Sequence, residues 1–234
     1  MSHFFNDGIE GKYYRLCSEL DALSYDVFLL LNVDDKTRMP TISQQIQRCV
    51  YDMDDLNTLG YTPINESLLP GSCHFPVLMF YMEHPNYSFY WFIEYDVEFT
   101  APWSVLMNAY GGNLKDYIVP FWARYDSETN RQWLWWQTKN NAGFPLVECL
   151  RSFHPICRYS NRALNVLDKY QKKGFSAHSE VIVPTCLYHA GLTLATFPEA
   201  DEHVRYRPTF SPDEFKQKKQ YGKLYHPIKF QIYT

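Results

Sequence analysis

No apolar run in this chain is long enough to cross a bilayer. A spanning helix needs roughly 20 apolar residues, and the longest runs here, such as Val27–Leu31, are far shorter. No basic leader followed by an apolar stretch opens the chain, so no secretory signal is read and a cytoplasmic location is expected. Paired cysteines are missing as well. The six cysteines stand at 17, 49, 73, 149, 157 and 186, never as C-x-x-C, which argues against a zinc ribbon or a thioredoxin-like motif. Scattered singly, they read as reduced core residues. Positive charge is not in excess: a net charge of -4 and a pI near 6.1 argue against a general nucleic-acid-binding face. G-x-G-x-x-G, Walker A, H-E-x-x-H and G-x-S-x-G do not occur, which removes the families that carry those motifs. No repeat, low-complexity stretch or linker interrupts the chain. Residues 1–234 therefore read as a single domain, with enough chain to bury a core unaided.

Aromatic residues are what the sequence has in abundance: 19 Tyr, 16 Phe and 6 Trp, 18% of the chain. Their order along the chain says more than their number. Apolar residues at helical spacing (Ile9, Tyr13, Leu16, Leu20, Leu23) predict an amphipathic helix over 9–23. The apolar run after Asp26 predicts a buried strand ending in Asn32, Asp34 and Asp35. Gln44–Leu56 reads as a weaker helix and Val77–Glu83 as a short one. Ser88–Ile93 is a second strong strand, and DYIVPFWARY holds a third. Ser160–Tyr170 is a helix with Ser160 as N-cap and Gly174 as terminator. Glu180–Leu187 and Leu192–Thr196 fit helix or strand. The alternation predicts an α/β fold with one mostly parallel central sheet flanked by helices. Such sheets usually begin with a strand, and here only Ser2–Asp7 precedes the first helix. The first strand is therefore either very short or missing from this sequence.

The second strand runs straight into Glu94-x-Asp96. Two carboxylates cannot be buried cheaply without a partner. Side chains at i and i+2 of an extended strand share a face, so the pair either faces one hard cation such as Mg²⁺ or Mn²⁺ or forms an ordinary solvated strand end. Glu98 continues the spacing. Asn32 and Asp34, at the end of the earlier strand, lie where open α/β sheets bind ligands; ordinary loop acids explain them equally well.

The stretch YWFIEYDVEFTAPW resembles the acidic motif of nucleotide-sugar glycosyltransferases with the GT-A fold. A second motif, G-F-S-A-H-S-E over 174–180 with R-Y-S-x-R-A-L before it, strengthens the likeness. The resemblance implies a single GT-A-like (Rossmann-like) domain. Its activity would be moving a hexosyl or N-acetylhexosaminyl group from a nucleotide-diphospho-sugar to a carbohydrate or other hydroxyl acceptor. It implies a divalent cation, Mn²⁺ or Mg²⁺, held by Asp96 and Glu94 (here E-x-D rather than D-x-D) with His226 as a third ligand. It implies phosphate contacts from Arg207 and Lys229 and nucleotide contacts from Asn32 and Asp34. Glu180 would take the acceptor's proton, with His178 as helper. The competing account makes His178 and Glu180 the start of a helix, with cap chemistry only. The basic tail is equally well a solvated one, and Lys216, Lys218 and Lys219 are read as an exposed charged turn. Trp103, Trp133 and Trp135 are candidates for stacking on a sugar, while Trp91 and Phe92 are expected in the core. Two alternatives stay open: a non-catalytic domain that binds nucleotide-sugar or glycan, and a nucleotidyltransferase, which should carry a glycine-rich loop not seen here.

Overall fold

The structure, a computed structural model, describes residues 1–65, 71–136 and 142–228. In chain order its principal elements are α1 (Asp7–Leu20), β1 (Leu29–Asn32), β2 (Arg48–Tyr51), α2 (Met53–Asn57), α3 (Phe75–Glu83) and β3 (Phe89–Ile93). There follow β4 (Glu98–Phe99), α4 (Trp103–Tyr110), β5 (Tyr117–Val119), β6 (Phe121–Arg124), β7 (Leu150–Phe153) and β8 (Ile156–Ser160). The last are α5 (Asn161–Lys172), α6 (Ser179–His189), β9 (Leu194–Thr196), α7 (Pro212–Lys218) and β10 (Leu224–Tyr225). The described residues group into two compact units, each assembled from separated segments. One comprises residues 1–50, 93–114 and 197–228, the other 51–65, 71–92, 115–136 and 142–196.

In the first unit, Asn6 caps α1 by accepting from the Ile9 amide. The helix buries Ile9 and Tyr13 against Leu29, Leu31, Ile42 and Ile46. Ahead of α1, Ser2 forms a single parallel bridge with Leu31, through Ser2 N to Leu30 O and Asn32 N to Ser2 O. Tyr95 N donates to Met1 O, so the N-terminal residues lie between β1 and the segment that follows β3. β4 pairs antiparallel with β10. Val204 and Phe210 form parallel bridges to His226 and Ile228.

The second unit is built on a four-stranded sheet of order β3-β8-β5-β9. β5 pairs antiparallel with β8 and parallel with β9. A separate antiparallel ribbon joins β6 and β7. α6 is fixed to β7 by Thr185, whose Oγ1 accepts from Leu150 N and donates to Leu150 O.

The α/β class holds, but the single mostly parallel central sheet does not. The largest sheet among the described residues is mixed, and the other strand pairs form two-stranded sheets. One reason is visible in DYIVPFWARY, expected as one strand. Pro120 lacks an N–H for a ladder bond, and it separates β5 from β6, which belong to different sheets. The helix expected over Gln44–Leu56 is replaced by β2 and a short α2. Asp52 starts α2 with a reciprocal capping box to Asp55, and this fixes the helix start after the strand. Lys216 and Lys218 lie on α7 rather than in a turn. α1, α3, β3 and α5 form where expected, and the ambiguous segments resolve as helix α6 and strand β9.

Candidate functional site

β3 ends at Ile93, so Glu94 and Asp96 are not on a strand. They flank a tight turn in which Val97 N donates to Glu94 O at 3.2 Å. The turn, rather than a pleat, brings the two carboxylates together. α1 holds it from behind: Lys12 Nζ donates to the carbonyl oxygens of Glu94, Tyr95 and Val97. Three carbonyls sharing one ammonium explain why a lysine is drawn into this half-buried position. The third acid, Glu98, turns away to pair with Lys12 at 3.6 Å and Arg15 at 2.8 Å. Arg15 also donates to the carbonyls of Phe99 and Ala101. Glu98 is thus structural.

The expected third ligand arrives from the far end of the same unit. Ile228 N donates to Asp96 O at 2.9 Å, and this places buried His226 beside the acidic turn. Its Nδ1 lies 2.9 Å from Arg205 O. A carbonyl only accepts, so Nδ1 carries the proton and Nε2 is left as the basic nitrogen. Nε2 lies 3.5 Å from Asp96 Oδ1 and 3.7 Å from Glu94 Oε2. One ligand atom from each of Glu94, Asp96 and His226 lies within 4.8 Å of the others.

Two features fit this group to a divalent cation. Asp96 is 5% exposed, and its Oδ1 has no hydrogen-bond partner among the described residues. Burial raises its pKa above the usual carboxylate range, against the pull of His226. An oxygen so placed carries a desolvation cost that a cation would offset. The imidazole shows the orientation typical of a ligating histidine, with one nitrogen donating to a backbone carbonyl and the other aimed at the centre. Bonds near 2.1 Å in an octahedral shell put neighbouring ligand atoms about 3 Å apart, so the 3.5 and 3.7 Å separations from His226 Nε2 would need to contract by about half an ångström.

The other expected residues are distributed as follows. Asn32 closes β1 and Asp34 is exposed just beyond it. His3, which sequence reasoning overlooked, lies within electrostatic reach of both Asp34 and Glu94. Arg207 is exposed, its guanidinium 5.1 Å from the Tyr206 ring. Lys229 lies outside the described residues. Trp103 is a correction: it is fully buried at the start of α4, packed on Phe99 and facing Lys12. No sugar reaches it. Three apolar neighbours of the acidic turn, Val97, Phe99 and Ala101, are buried with it, so the segment after the motif is core rather than cleft.

In the second unit Trp133 and Trp135 are half-exposed. Trp133 meets Trp136 edge-on and has Arg151 over its ring. Trp135 stacks on His178, with ring centroids 4.1 Å apart. His178 is the N-cap of α6, its Nδ1 accepting from Glu180 N at 3.2 Å. Burial lowers its pKa to about 3, so the ring is neutral and its other nitrogen bears the proton. The cap contact describes its Nδ1, and Nε2 is left as a donor. Glu180 sits in the first turn of α6, half-buried, where its charge is felt by Arg151.

Besides His3, the residues overlooked in the sequence are Lys12 and the backbone of Arg205. Lys12 and Arg15 stand three apart on one helix face, a pattern that could have been matched to the acids at 94 and 98. Arg205 acts through its backbone carbonyl, which leaves no trace in a sequence.

No protein-family model matches the chain, and no curated protein matches it.

Proposed function

We propose that the chain is a divalent-cation-dependent glycosyltransferase that moves a sugar from a nucleotide-diphospho-sugar to an acceptor hydroxyl. The observation that carries this reading is the convergence of Glu94, Asp96 and His226. A mixed set of two carboxylates and one imidazole suits Mn²⁺ or Mg²⁺. When bound, the cation supplies positive charge to the diphosphate as the sugar–phosphate bond breaks. The chain's own part at that site is to hold three ligand atoms in place. Arg205 O fixes the His226 tautomer, and Lys12 fixes the turn.

Glu180 is the proposed general base for the acceptor hydroxyl. It is a carboxylate at the edge of a half-exposed aromatic surface, beside the Trp135–His178 stack and within reach of Arg151. Trp133 and Trp135 offer ring faces to a sugar. Asn32 and Asp34 are the proposed ribose or base contacts, and Arg207 with Lys229 the phosphate contacts.

The test is turnover of a panel of nucleotide-sugars with Mn²⁺, by wild type, Asp96→Ala and Glu180→Ala. Wild type is expected to turn over at least one donor. Glu180→Ala is expected to lose about 10²–10⁴-fold in transfer rate, the usual worth of a positioned base. Binding of a donor without turnover supports the non-catalytic alternative. Unchanged turnover in Asp96→Ala overturns the site.

A further inference from the structure

The second unit holds another reactive cluster, remote in sequence from the acidic turn. Cys73 stands two residues before α3, whose N-cap is His74. Its Sγ lies 3.6 Å from His154 Nε2 and 3.1 Å from Ser179 Oγ. His154, on the turn between β7 and β8, is 4% exposed. Its Nδ1 lies 3.2 Å from the Tyr117 hydroxyl and 3.3 Å from Ser152 Oγ. The backbone braces the group, with Ser179 N donating to Gly71 O at 2.6 Å. Gly71 has φ +122°, and a Cβ there would strike Ile64 at 2.1 Å. Only glycine permits the close turn that sets Cys73 against Ser179.

This is nucleophile, base and orienting group in sequence. Burial keeps the Tyr117 phenol protonated, so it anchors the imidazole as a neutral hydroxyl. The Ser179 hydroxyl lies within hydrogen-bond reach of the sulfur. A separate observation marks the surroundings as polar. His74 is 2% exposed beside this group, and burial, with His154 and His178 nearby, lowers its pKa to about 3.

The other cysteines provide an internal contrast. All six are thiols rather than disulfides; Cys149, Cys157 and Cys186 are buried, and burial pushes the Cys186 thiol up. Cys17 is half-buried like Cys73, but on α1 its neighbour is the Tyr13 hydroxyl rather than an imidazole.

We propose that Cys73 is a nucleophilic thiol, set by His154 and Ser179 as a site of oxidation by hydroperoxides. The thiol proton passes to His154 Nε2. The sulfur attacks one peroxide oxygen, an S–O bond forms and the O–O bond breaks. The departing hydroxide takes the proton from His154 and leaves as water. Sulfur is oxidised by two electrons to a sulfenic acid, and the peroxide is reduced.

An ordinary thiol is only a few per cent thiolate at neutral pH. Pre-ionisation, partly offset by weaker intrinsic nucleophilicity, therefore gains about ten-fold in rate. The experiment treats the full-length protein with limiting hydrogen peroxide, traps sulfenic acid with dimedone, and quantifies the adduct at each cysteine by peptide mass spectrometry. Cys73 is expected to carry about ten times the adduct of Cys17. His154→Gln and Ser179→Ala are each expected to lower it several-fold, with the circular dichroism of the protein unchanged. Equal labelling of Cys73 and Cys17 overturns the proposal, as does an unchanged adduct in His154→Gln. Should that variant fail to fold, Ser179→Ala and the wild-type contrast decide. None of these readouts depends on sugar transfer.

Discussion

Asp96 shows how a single residue can oppose stability and serve a site. Its pKa is raised by burial, so in the metal-free protein the folded state favours the protonated form. The sign follows from linkage. As pH rises from the unfolded carboxylate value through the higher folded one, the unfolded chain releases its proton first and stability falls. Above the folded value the cost is complete. Asp96→Asn is therefore expected to raise the melting temperature of the metal-free protein at neutral pH, by about 2–4 °C for each kcal/mol recovered in a chain of this size. The difference from wild type is expected to shrink toward pH 4, which calorimetry across pH measures. His226→Gln is expected to weaken Mn²⁺ binding by more than the roughly ten-fold that loss of an outer-shell partner costs, read by titration calorimetry. At this scale the sequence was legible where chemistry is local. Carboxylates after an apolar run had to find a partner, and His226 was reachable only through the resemblance, since nothing near residue 226 points to residue 96. Trp103 was misread because a tryptophan after an acidic motif looks the same whether it faces a cleft or the core.

At the scale of elements, the acidic turn depends on α1. Lys12→Met keeps the length of the side chain but leaves the carbonyls of Glu94, Tyr95 and Val97 without their shared donor. Glu94 O keeps its bond from Val97 N, and a buried carbonyl left without a donor costs about 1–3 kcal/mol. The variant is expected to lose stability in urea unfolding and Mn²⁺ affinity together, whereas Lys218→Met, on exposed α7, is expected to change neither. α5 provides a test in the second unit. Ser160 accepts from Ala163 N and donates to Asp116, itself held by Arg162 and Thr193. Burial works to raise the Asp116 pKa, but the hydrogen bonds from Arg162, Thr193 and Ser160 prevail and hold it well below the usual range. Ser160→Ala is expected to cost about 1–2 kcal/mol as a lost cap, with a larger deficit at neutral pH than in acid, where Asp116 becomes protonated. α5 was legible at both ends: Ser160 caps it, and Gly174, at φ +82°, follows its last turn. The Glu94–Asp96 turn was not. Strand spacing and a tight turn both bring two acids together, and only the backbone distinguishes them.

At the scale of the whole molecule, each unit is built from separated stretches of chain. A linker rich in glycine or proline would have marked a division, and the chain crosses between units without one. The mixed sheet was hidden for a related reason. Antiparallel β5–β8 pairing joins residues 117–118 to 158–159, and alternation of helix and strand in the sequence is silent on strand direction. The α/β class was legible because it follows from periodicity. Sheet order was not, because it follows from contacts distant in sequence. The functional account rests on one convergence in the first unit, and it is most directly tested by titrating the purified chain with MnCl₂, alone and with UDP or GDP. The account predicts one Mn²⁺ per chain, bound more tightly in the presence of at least one diphosphate because the two ligands reinforce each other. It predicts that Asp96→Asn abolishes this binding. Absence of stoichiometric Mn²⁺ under both conditions, or unaltered binding in Asp96→Asn, would contradict it.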